Sequence, residues 1–119
     1  MEIQISESKP ESKIGYETIH DIYLDNKNVG YVIVQYATKE DIKAFKKSKR
    51  KLKIGQPFGV RLCIDADKGG VTTSEIGKPN IIRIVDLLKS RFSGLEERDV
   101  GIIEFDKGKK NIIGKISNL

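Results

Sequence analysis

Along this chain, hydrophobic positions mostly recur every second residue and switch to a helical period in two places. Residues 16–24 (YETIHDIYL) and 28–38 (NVGYVIVQYAT) are rich in β-branched and aromatic side chains and flank a polar Asp-Asn link, the pattern of a hairpin. In the second arm both parities are largely apolar, with Tyr31 and Ile33 against Val32, Val34 and Tyr36. A central strand covered on both faces reads this way. In FGVRLCID (58–65) the alternation is cleaner: Phe58, Val60, Leu62 and Ile64 point one way, Gly59, Arg61, Cys63 and Asp65 the other. Residues 99–106 and 110–117 predict a last hairpin around Lys107, Gly108 and Lys109, and Glu2 to Ser6 a short first strand.

The helical period appears first after Thr38, a capping residue with Asp41 three positions on. This helix is predicted over residues 39–52, with a narrow apolar stripe of Ile42, Phe45 and Leu52. The second follows Pro79, which suits a first helical turn; Ile81, Ile84, Val85, Leu88 and Phe92 share one face, and Ser93-Gly94 ends it. The order is then β-β-β-α-β-α-β-β. It predicts one α+β domain spanning 1–119, a compact two-layer fold with a mixed sheet of about six strands and two helices. The segment 29–65, strand–helix–strand, is expected to form a parallel crossover.

Composition sets limits on chemistry. The chain has 119 residues, 38% apolar and 33% charged, enough for one core without a metal or disulfide staple. Ile and Lys dominate their classes, a thermophile-like composition. The lone Cys63 allows neither an internal disulfide nor a Cys-based zinc site and is expected to be a small buried residue. Neither a signal-peptide core nor a membrane-spanning run is present, so a cytoplasmic, non-membrane protein is expected. The single histidine, His20, has Asp21 beside it, but neighbours on a strand face opposite ways and form no dyad. With one histidine and no nucleophile motif, most acid–base and hydrolytic designs are unavailable.

Two segments carry the remaining chemical interest. In residues 58–80 a strand ends in Asp65-Ala66-Asp67-Lys68-Gly69-Gly70 and leads through a hydroxyl-rich loop to Pro79. An EF-hand fails here, because Gly69 and Ile76 occupy ligand positions 5 and 12. A P-loop fails too: Thr72 replaces its first glycine and Pro79 its hydroxyl. Asp and Gly at a strand end also make an ordinary turn, and Thr72 with Glu75 can cap a single helical turn. The D-x-D-x-x-G of Asp65, Asp67 and Gly70 resembles the second acidic motif of the toprim fold, found in primases, topoisomerases and small nucleases. That resemblance implies magnesium held by Asp65 and Asp67 for phosphate-ester chemistry. It also implies a glutamate after an earlier strand, where this chain has Gln35, with Glu40 nearby in the predicted helix.

The second segment is KAFKKSKRKLK, residues 43–53. Seven of its eleven residues are cations: Lys43, Lys46, Lys47, Lys49, Arg50, Lys51 and Lys53. The chain's net charge is +5, so everything else sums to −2 and the basicity is local. Clustered cations favour a phosphate backbone, because each neutralised phosphate releases counterions. The expected function is therefore non-catalytic binding of nucleic acid or another polyanion through a Lys-rich helix, without cofactor. The alternatives are a magnesium-dependent phosphate-ester enzyme and a protein-interaction module. The chain is expected to be a monomer, or a homodimer paired through an exposed strand of the last hairpin.

Overall fold

The computed structural model describes residues 1–8, 16–46 and 51–119. Its strands are β1 (Ile3–Ile5), β2 (Glu17–Leu24), β3 (Lys27–Tyr36), β4 (Pro57–Asp65), β5 (Val100–Asp106) and β6 (Lys109–Gly114). The helices among the described residues are α1 (Lys39–Ala44), α2 (Ala66–Gly69), α3 (Thr73–Ile76) and α4 (Lys78–Arg91). The strands lie side by side in chain order as one mixed sheet, parallel only between β4 and β5. The α+β class and the strand sequence agree with the periodicities; α2 and α3 come in addition to the two expected helices.

Local chemistry explains the elements. Asp25 and Asn26 take left-handed backbone (φ 49° and 68°) in the two-residue turn between β2 and β3, and Lys107 and Gly108 do the same between β5 and β6. Such primed turns match the twist of paired strands. Thr38 caps α1 in a reciprocal box with Asp41, and Thr72 caps α3 with Glu75. Pro79 opens α4, whose Ile81, Ile84, Val85 and Leu88 are buried. These join Ile22, Val32, Val34, Leu62, Ile64 and Ile102 in one core. By register those strand residues share a single face of the sheet. β3 is central, as expected, but α4 covers only one side of it; Tyr31 and Ile33 on the other side stay half-buried.

The expected crossover over 29–65 does not form. β3 and β4 are antiparallel, with Gly30 opposite Ile64 and Gln35 opposite Gly59. The reason is a clasp at the base of the connection. The Ala37 amide donates to Gln56 O and the Gly55 amide to Ala37 O, each at 2.8 Å. The chain therefore re-enters beside the point where it left, and antiparallel pairing follows. The parallel step falls between β4 and β5, through α2, α3 and α4. There α2 lies close on β3: a Cβ on Gly69 would come within 2.8 Å of the Val29 Cα.

His20 is buried in β2 and fully bonded. Its Nδ1 donates to Ser6 O at 2.9 Å, which leaves Nε2 to accept from Thr18 Oγ1 at 2.9 Å. The ring meets Phe92 edge-on at 5.1 Å. Burial holds its pKa below the ordinary value, against the opposing pull of the Ser6 bond. Cys63 is 3% exposed, and burial pushes its thiol pKa up. The lone cysteine is the small buried residue that its strand position suggested.

Candidate functional site

The basic run occupies the long connection from β3 to β4, whose two ends meet at Ala37. α1 is shorter than the predicted 39–52. It ends at Ala44, with Phe45 as its cap, and residues 51–53 carry no regular structure. The apolar stripe was too thin to support more: α1 has no buried residue, so packing does not offset the repulsion between successive lysines. Phe45, 40% exposed, turns to meet the Phe58 ring edge-on at 5.9 Å. That contact, together with the Thr38 box, ties the outgoing limb to the sheet.

Lys43, at the last turn of α1, and Lys46, just past its cap, are exposed; Lys51 and Lys53 are exposed on the returning limb. Lys47, Lys49 and Arg50 lie outside the described residues. The ion pairs among the described residues lie elsewhere: Arg61 with Glu17 (3.4 Å) and Arg91 with Glu7 (3.1 Å) on the sheet and α4, and Arg98 with Glu96. Asp41, the acid nearest Lys43 on α1, accepts from the Thr38 amide and hydroxyl at 2.8 Å each. Among the described residues, no carboxylate is ion-paired to these exposed lysines.

The aspartate segment is built differently. Asp65 caps α2, its Oδ1 accepting from the Lys68 amide at 3.2 Å. Asp67 reaches the β5–β6 turn, where its Oδ1 accepts from the Lys107 amide at 2.6 Å and its Oδ2 from the Gly108 amide at 2.9 Å. Glu104, on β5, accepts from the Thr73 amide and hydroxyl at 2.7 and 2.8 Å and fastens α3 to the sheet. The donor set does not fit a magnesium site. The two aspartates serve separate backbone segments, and no group of three His, Cys, Asp or Glu residues among those described could hold a metal. Gln35, where the toprim resemblance implies a further acid, pairs with Gly59 at the start of β4. Asp65 ends that strand six residues on, about 20 Å away at about 3.3 Å per residue. An antiparallel neighbour puts the two positions at opposite ends of the sheet.

Periodicity missed the Ala37–Gln56 clasp and the Asp67 bridge, since both are tertiary contacts between backbone and distant residues. Gly55, at φ 81°, was the one local signal of the clasp. Among the described residues no helix is long and apolar enough to cross a membrane. Comparison with protein-family models, curated proteins and solved structures finds no match to this chain. What the geometry defines is a class: an α+β domain with helices against one face of a mixed sheet, and a clasped basic loop at one end of it.

Proposed function

We propose that the chain binds nucleic acid or another polyanion through the loop of residues 43–53, without catalysis. The observation carrying this reading is the exposure of Lys43, Lys46, Lys51 and Lys53 on a loop pinned at its base, with no carboxylate of a described residue paired to them. A phosphate backbone gains from each such cation by counterion release. The contacts are to phosphate, so affinity depends weakly on base sequence. Lys47, Lys49 and Arg50 belong to the same proposed interface by their place in the sequence.

Fluorescence anisotropy with labelled single- and double-stranded oligonucleotides, and with heparin as competitor, tests the proposal across a salt series. Affinity should fall steeply with salt. Replacing Lys46, Lys47, Lys49 and Arg50 together by Gln should remove most of it and flatten the log–log salt slope by up to about 3.6, at roughly 0.9 per phosphate contact on duplex DNA. An affinity and slope untouched by those four changes would end the reading.

A further inference from the structure

Of the four tyrosines and four phenylalanines, all among the described residues, Tyr16 and Phe45 are the exposed ones. Both stand at the clasped end of the sheet, with the lysines. The Tyr36 amide donates to Tyr16 O at 2.8 Å, Tyr36 pairs with Pro57, and Phe45 rests edge-on against the next residue, Phe58. Tyr16 is thus two strands away from Phe58, about 10 Å at about 4.8 Å per strand. Carrying the alternation of β2 and β4 outward puts Tyr16 and Phe58 on the same side of the sheet. Exposed Lys43 and Lys46 flank Phe45 in the chain, and exposed Lys53 and Ile54 stand beside the clasp at Gly55.

We propose that the polyanion taken by the basic loop is single-stranded nucleic acid, with phosphates on the lysines and bases stacked on Phe45 and Tyr16; this rests on the polyanion reading above. A base stacks on an aromatic ring whatever its sequence, and an unpaired strand can turn that face outward, whereas a duplex hides it and heparin lacks it. Phe45 is already held by Phe58, so little side-chain freedom is lost when a base covers it. The layout also separates a strand from a lipid surface. A membrane is entered by apolar residues that lead the cations into the acyl boundary. Here the order is reversed. The middle of the loop's sequence, KKSKRK (46–51), is wholly polar, and the rings lie at its base against the sheet.

Anisotropy of two labelled strands of about 12 nucleotides, within the range of single-strand sites, tests the proposal. One is oligo-dT; the other has the same phosphates but abasic sites throughout. Oligo-dT should bind at least about fivefold tighter, the low end of base–aromatic stacking. Tyr16→Ala and, separately, Phe45→Leu should each weaken oligo-dT about fivefold or more. Neither should alter the salt slope or the affinity of the abasic strand, because no phosphate contact is lost. Phe45→Leu keeps an apolar contact with Phe58, and unchanged melting confirms the fold; Tyr16→Ala, at 56% exposure, keeps the test valid if Phe45→Leu loosens α1. An abasic strand bound as tightly as oligo-dT, or oligo-dT affinity untouched by both variants, overturns the single-strand proposal and leaves the basic-loop reading standing. Failure to bind any strand or heparin ends both. Phosphatidylserine–phosphatidylcholine vesicles whose binding both variants weaken, while oligo-dT binding stays unchanged, would assign the rings to a lipid surface and overturn the proposal.

Discussion

At the Asp65 end of β4 the aspartates are engaged by main-chain amides of the same chain; at the Pro57 end the described lysines of the basic run are left exposed. Asp65 holds the start of α2, and Asp67 holds the turn between β5 and β6. The described lysines beyond α1 stand on a connection whose two ends are tied through Ala37, Gly55 and Gln56. Both segments drew notice as clusters of charge beside a strand end. A carboxylate next to Gly and an open turn has amides within reach and is consumed by folding. An ammonium offers only donors, which helix-end carbonyls and carboxylates can satisfy, and the described lysines meet no carboxylate. Folding stabilises through the first cluster and leaves the described lysines of the second exposed.

The largest expected effect is a separation of functions between the two ends. Neutralising the four cations Lys46, Lys47, Lys49 and Arg50 should lower oligonucleotide affinity by about 100-fold or more at moderate salt, while melting changes by no more than about 0.5 kcal/mol. The reverse pattern belongs to the other end. Gly69→Ala drives a Cβ towards Val29 and should cost about 1–3 kcal/mol in urea unfolding, with affinity unchanged. Asp67→Ala releases two turn amides at an exposed site and should cost about 1 kcal/mol, again without loss of affinity. Binding lost on changing Asp67 or Gly69 in a folded protein would dissolve the distinction.

The same contrast explains which parts were legible in the residues. The hairpins were, because Asp25-Asn26 and Lys107-Gly108 are turn dipeptides between alternating runs. So was α4, whose five apolar positions after Pro79 leave one arrangement. The two capping boxes were local and were read correctly. The length of α1 was not: lysines are good helix formers, and nothing in 45–52 announces that Phe45 turns away to Phe58. The pairing of β3 with β4 was hidden for another reason. Hydropathy reports which face a strand buries but is silent on its direction, and the clasp at Ala37 decides that. α2 and α3 have four residues each, too few to show a period, although Asp65 and Thr72 carried their capping signals. Asp67 stood open between a turn residue and, by the toprim resemblance, a metal ligand, because its backbone partners lie 40 and 41 residues away.

A smaller effect should come from the single titratable ring in the core. Burial lowers the folded pKa of His20, so the folded state favours the neutral ring. Its contribution is complete above the unfolded value of about 6.5 and declines as pH falls through that value, where the unfolded chain takes up the proton first. Urea unfolding between pH 7.5 and 5 should show that decline, and His20→Gln should flatten it. Oligonucleotide affinity that fell between pH 7.5 and 6.5, in a protein still folded, would point to a titrating group within the interface.

The smallest expected effect is on magnesium. A divalent ion wants several oxygens converging on one point, and Mg²⁺ in particular demands near-octahedral geometry with one or two carboxylates freely directed at it. Asp67 already directs both oxygens at the Lys107 and Gly108 amides, and Asp65 directs one at Lys68. A metal would compete with these backbone bonds for the same carboxylate oxygens of Asp67. Titration with millimolar MgCl₂, followed by amide resonances of residues 65–70 and 107–108, should therefore match a KCl control of equal ionic strength. Saturable shifts confined to those amides would show that the carboxylates leave their backbone partners for the metal. The contrast between a self-satisfied acidic end and an open basic end would then fail at the acidic end first.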